Sequence, residues 1–159
     1  MTRIIKSNKI LEDILPNSGS NLLNLKSYIS ETNGVEVTAW PEFIDNQING
    51  LETDNLFIWA YHIRILNKNN YKVQLLNRYW KIIDEKGIIQ EVNGEGVIGE
   101  QPKILPNQDF QYSSGVHLRY PSGIMTGHYQ MQKEDGELFQ IKIPTFSLDV
   151  PNIKNLILN

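Results

Sequence analysis

The sequence predicts an all-β chain folded as a two-sheet antiparallel β-sandwich behind a short N-terminal extension. Three observations carry that expectation. From Val35 onward apolar residues recur with a period of two, the signature of half-buried strands, and not with a period of 3.6. Gly, Pro, Asn and Asp break the alternating runs at intervals of roughly 8–14 residues, close to the spacing expected of sandwiches and barrels. The composition, 40% hydrophobic and 21% charged over 159 residues, suits one folded domain with its own core. A small barrel is the structural alternative. No internal repeat is visible, which removes propellers and solenoids.

The extension covers residues 1–33 and the sandwich domain residues 34–159. In Lys9–Leu15, Ile10 pairs with Ile14 and Leu11 with Leu15 at i, i+4, giving one or two helical turns that Pro16 stops. Asn17–Ser20 reads as a linker, after which Leu22, Leu25 and Ile29 resume a helical spacing. Such short helices are marginal alone, so the extension is expected to be partly helical or disordered. Val35, Val37 and Ala39 then alternate until Pro41 ends the run. Phe57–Leu66 is the clearest strand, with Phe57, Trp59, Tyr61, Ile63 and Ile65 on one face and Ala60, His62 and Arg64 on the other. Asn67–Asn70 is a turn. Tyr71–Asp84 is a second long strand whose parity slips between Leu75 and Trp80, so a bulge near Leu75–Asn77 is expected. Asp84–Gly87 turns the chain into Ile88–Val92. Asp109–Ser113, Ile124–Gln132, Leu138–Ile143 and Phe146–Val150 follow, with a hairpin turn at Lys133–Gly136.

Charge and composition close off several functions. With 15 Lys+Arg against 18 Asp+Glu, the net charge of −3 lacks the basic excess of a general nucleic-acid binder. The absence of cysteine removes disulfides, thiolate nucleophiles and thiolate metal sites. No apolar run has the length of a signal peptide or a membrane span, so a cytoplasmic location is expected. The aromatic residues Phe57, Trp59, Tyr61 and Trp80 would make a base-stacking platform if exposed. Their parity with Ile63 and Ile65 places them in the core instead.

Gly94-Glu-Gly96-Val-Ile-Gly99 matches G-x-G-x-x-G, but Pro102 and Pro106 follow at once. A dinucleotide site needs that motif to open a helix whose N-terminal amides hold the pyrophosphate. What survives is a phosphate or pyrophosphate loop at Gly94, Gly96 and Gly99, opposed by Glu91, Glu95 and Glu100 around it. Such an anion would need Mg²⁺ or a remote arginine to approach. His62, His117 and His128 have no metal-ligand spacing, although the last two would meet if their strands were neighbours. Ser113, Ser114 and Ser122 sit in turn-like sequence, no nucleophile elbow occurs and no triad assembles from spacing, so neither a catalytic residue nor a metal is assigned. Asp84-Glu85 and Glu134-Asp135 read as solvated turn charges.

Longer stretches carry more information. Gly94–Pro102, Phe110–His117 and Pro121–Met131, together with Val73–Ile82, Trp59–Tyr61 and Ile143–Phe146, closely resemble the ApaG family across residues 34–150. The resemblance implies an immunoglobulin/fibronectin type III-like sandwich, found as bacterial stand-alone proteins and as a domain fused into eukaryotic proteins that serve protein–protein interaction. It brings no established enzyme activity and no cofactor. Its associations with cobalt resistance and magnesium efflux support an alternative, a Mg²⁺- or polyphosphate-binding regulator using the Gly94–Gly99 loop. The expected function is a non-enzymatic module that binds another protein through a sheet edge or loop end. A homodimer through a sheet edge is a further option; nucleic acid and membrane are not expected partners. The extension is the departure from the family pattern.

Overall fold

The structure, a computed structural model, describes residues 5–7, 22–47 and 55–152. Among them lie ten strands: β1 (Ile5–Ser7), β2 (Tyr28–Thr32), β3 (Val35–Gln47), β4 (Leu56–Asn67), β5 (Val73–Asp84), β6 (Ile89–Glu95), β7 (Lys103–Ile104), β8 (Asp109–Leu118), β9 (Ser122–Lys133) and β10 (Leu138–Asp149). The first sheet runs β1-β8-β4-β3-β2 and the second β10-β9-β5-β6, with β7 extending the β6 side of β5. All pairings are antiparallel except β1 with β8. Among the described residues no helix is long and apolar enough to cross a membrane.

The expected parity of β4 holds: Phe57, Trp59, Tyr61, Ile63 and Ile65 are buried between the sheets. From the second sheet Trp80, Met125, Tyr129, Ile141 and Phe146 meet them. Trp80 is the centre of the aromatic packing, 5.1 Å from Tyr61 and edge-on to Phe146 at 6.0 Å. The bulge expected in β5 lies between Leu75 and Asn77 and restores the inward phase for Trp80 and Ile82. Asn67, fully buried, ties the turn after β4: its Nδ2 donates to the carbonyls of Tyr71 and Ile104, and its Oδ1 accepts from the Asn69 amide.

Two readings of the sequence are corrected. The helical spacing of Leu22, Leu25 and Ile29 yields only a 3-10 turn at Leu22–Asn24, because Tyr28–Thr32 pairs with β3 as a strand. The first sheet therefore includes chain from before residue 34, and Gly34 at φ +73 makes the turn between β2 and β3. Pro41 does not end β3. β2 covers that strand only to Ala39, so at Pro41 one flank is open and no ladder hydrogen bond is lost there. The helical reading of Lys9–Leu15 and the linker Asn17–Ser20 lie outside the described residues.

The two flanks of the sandwich differ. On one, hydroxyls stitch β2 to β10: Ser30 Oγ donates to the Lys142 carbonyl at 2.7 Å, and the Lys142 amide donates to Thr32 Oγ1 at 3.1 Å. On the other, β6 faces the Ser114–Leu118 half of β8 across a cleft.

Candidate functional site

Gly94, Gly96 and Gly99 are explained by the backbone around them. The β5 bulge leaves the Leu76 carbonyl turned out of the ladder, and the Gly96 amide donates to it at 2.7 Å, with Gln101 Nε2 adding a second bond at 3.1 Å. Gly96 has φ +63, and a Cβ there would lie 2.1 Å from the Glu100 carbonyl oxygen. Val97 and Glu100 exchange both backbone hydrogen bonds around Ile98 and Gly99, both at positive φ, as a type I′ hairpin turn requires. The Val97 and Glu100 amides are thus engaged inside the loop and the Gly96 amide on β5, and no helix follows it.

Gly94 serves a different purpose. A Cβ there would lie 2.6 Å from Nη1 of Arg78, so the missing side chain is the space in which the guanidinium lies. Arg78 Nη1 donates to the carbonyls of Gly96 at 2.8 Å and Glu95 at 3.2 Å, clamping the loop onto β5. Beyond it opens the flank cleft, about 250 Å³, walled by Tyr61, Trp80, Ser114, Val116 and Met125. The guanidinium favours the ionised forms of Tyr61, Tyr112 and Tyr129, but burial outweighs it and pushes all three phenols up. Tyr112 and Tyr129 share a hydroxyl–hydroxyl bond of 2.5 Å in the core.

The serines and histidines form a chain that spacing did not reveal. His62 on β4 lies beside Ser113 on β8, with Nδ1 2.5 Å from the serine Oγ; its Nε2 is 2.7 Å from Glu42 Oε2 on β3. If Nε2–H donates to the carboxylate, Nδ1 accepts from the serine hydroxyl. The ring nitrogens are then interchanged relative to the usual serine-hydrolase triad, in which Nε2 faces the serine. His62 and Ser113 are each 8% exposed, and neither lines any of the grooves described here. His117 and His128 do not meet, because β8 and β9 belong to different sheets. His128 faces outward, as its phase predicts, and stacks on Tyr79 at 4.8 Å. Ser122 Oγ donates to Asp149.

The solvent face of the second sheet is graded along its strands. At the hairpin end Ile89, Ile83 and Ile124 stand side by side on β6, β5 and β9, with Ile89 53% and Ile124 45% exposed. The next row is Glu91, Lys81 and Thr126; then come Asn93, Tyr79 and His128. Tyr79 donates to Glu91 at 2.6 Å. At the far end Asn77 donates to Gln130 at 2.8 Å beside a groove of about 550 Å³. Among the described residues β6 closes this sheet with an unpaired edge, and both its acidic side chains, Glu91 and Glu95, lie on this face.

Fold and loop together define a class: a two-sheet β-sandwich of the immunoglobulin/fibronectin type III-like kind, with a glycine hairpin clamped by an inter-sheet arginine. The ApaG domain model matches residues 49–133. Protein ApaG of Paramagnetospirillum magneticum is 50% identical over 127 residues, 80% of this chain and 96% of that protein. Protein ApaG of Allorhizobium ampelinum is 44% identical over 130 residues, 82% and 98% of the two chains. Among solved structures, one described as an ApaA protein from Bordetella pertussis aligns with TM-score 0.68 at 34% identity, covering 74% of this chain and 94% of that one. A structural-genomics target solved by X-ray aligns with TM-score 0.72 at 39% identity, covering 76% and 90%. The chain belongs to the ApaG family.

Proposed function

We propose that this protein is a non-enzymatic interaction module that takes an extended, basic segment of another protein along the edge of β6. The observation that supports it is the combination on one edge of free backbone groups, the exposed isoleucine row and two carboxylates without a cation on the strand. Strand addition draws affinity from main-chain hydrogen bonds and specificity from alternate side chains. A partner strand with Lys or Arg at alternate positions and an apolar residue beside Ile89 complements this edge. A second copy would bring Glu91 and Glu95 against themselves, which argues against a homodimer there. The non-enzymatic reading draws on the burial of Ser113 and His62, which leaves only Glu42 of that chain at a surface groove. The alternative, a Mg²⁺/polyphosphate regulator using Gly94, Gly96 and Gly99, has less support, because three of that loop's amides already have carbonyl partners.

A photo-crosslinking residue at Asn93, in the native cytoplasm, tests the proposal. The expected product joins β6 to a segment of another protein with alternating basic residues. The double variant Ile89→Lys/Ile124→Lys should abolish it, whereas Ile29→Lys on the β2 edge should not. Crosslinking that survives the double variant, or a product that is only a second copy of this chain, overturns it.

A further inference from the structure

The flank cleft has a feature that loop clamping leaves unused. Arg78 spends Nη1 on the carbonyls of Glu95 and Gly96, and among the described residues it has no carboxylate partner. Trp80, 2% exposed, lines the same cleft, and among the described residues its Nε1–H, like that of Trp59, has no hydrogen-bond partner. A buried donor without an acceptor is costly, on the order of 1–3 kcal/mol, and rare in folded proteins. No acidic residue lines the cleft, so nothing there competes with an incoming anion. The remaining wall joins an apolar side, Tyr61, Ile82, Val92, Val116 and Met125, to a polar one of Gln90, Ser114 and His117.

We propose that the cleft between β6 and β8 binds a small organic carboxylate with an apolar body, its oxygens held by the Arg78 guanidinium and the Trp80 indole N–H. The apolar side of the wall favours an organic carboxylate over inorganic phosphate. One carboxylate needs about two strong donors, which the guanidinium and the indole provide, and Tyr61, Val92, Val116 and Met125 would cover a carbon body that phosphate lacks. The cleft volume of about 250 Å³ suits a body of one aromatic ring. This site is separate from the glycine hairpin, whose amides face their own carbonyls. It is also separate from the outer-face edge proposed for a protein partner, because Trp80 and Arg78 point to the opposite side of the sheet from Ile83 and Tyr79.

The chain has three tryptophans, so the indole N–H resonance of Trp80 is resolvable by nitrogen-15 NMR and reports on the site directly. Titrating the full-length chain with phenylacetate should move the Trp80 indole resonance saturably. The uncharged isostere phenylacetamide should bind about tenfold more weakly or worse, the scale of one charge-assisted hydrogen bond. Arg78→Met should abolish the response. Val92→Glu is the second variant, since Arg78→Met also loosens the hairpin. It leaves the clamp intact and sets a carboxylate on the cleft wall, and it too should abolish binding. The proposal is overturned if the Trp80 resonance stays still at millimolar phenylacetate. It is equally overturned if phenylacetamide or inorganic phosphate binds as well as phenylacetate, or if Val92→Glu binds phenylacetate with unchanged affinity.

Discussion

Tyr112 and Tyr129 show how a polar pair survives inside an apolar core. Each hydroxyl is the other's partner across the sheets, so removing one leaves a buried orphan. Tyr112→Phe or Tyr129→Phe alone should cost about 1–3 kcal/mol, while the double variant should come close to wild type, because two apolar rings of the same shape leave nothing unsatisfied. Chemical denaturation of the three variants checks this; additive losses would contradict it. The phase that Tyr129 shares with Met125 and Met131 marks it as inward from the sequence, but spacing cannot pair it with Tyr112, since the bond joins residues of different sheets. The Ser113–His62–Glu42 chain, all within the first sheet, escaped for a different reason. Its members lie on three strands whose order in the sheet is fixed only by the fold, and one-strand periodicity gives a face without a neighbour.

At the level of elements, periodicity was most informative where burial is one-sided. The faces of β4, the β5 bulge and the hairpins at Asp84–Gly87 and Lys133–Gly136 were all legible, because core burial enforces a period of two. β2 was not, since of the three apolar residues at helical spacing only Ile29 lies in the strand, and pairing of Tyr28–Thr32 with β3 decides its conformation. The glycine hairpin was legible as a loop but not in its purpose. Gly94 is small because Arg78 lies over it, a contact between adjacent strands that spacing within the motif cannot show. Gly94→Ala should therefore displace the guanidinium from the Glu95 and Gly96 carbonyls and lower stability by about 1–3 kcal/mol. In the background of Arg78→Met the same substitution should cost much less, and a double-mutant cycle by thermal denaturation measures the coupling. Equal losses in both backgrounds would show that the crowding is not with Arg78.

At the level of the whole molecule, three phenols are held un-ionised between the sheets: Tyr61, Tyr112 and Tyr129, all raised by burial. The unfolded chain releases these protons near pH 10, whereas the folded chain retains them. Their contribution to stability is complete below about pH 10 and is lost as pH rises further. Stability should fall by up to about 4 kcal/mol per pH unit there, from about 1.4 kcal/mol per proton. Of the seven tyrosines, these three should ionise together with unfolding in a spectrophotometric titration. Their ionisation in a folded chain would contradict the burial argument.

The hydroxyl stitching between β2 and β10 has a mechanical consequence. It makes that flank a spine, while among the described residues the flank between β6 and β8 is a fore-edge with no such stitching. Thermal motion that parts the two sheets must open the molecule like a book, pivoting at Ser30, Thr32 and Lys142. The widest gape then falls on the Arg78 and Trp80 side, where the proposed carboxylate would enter.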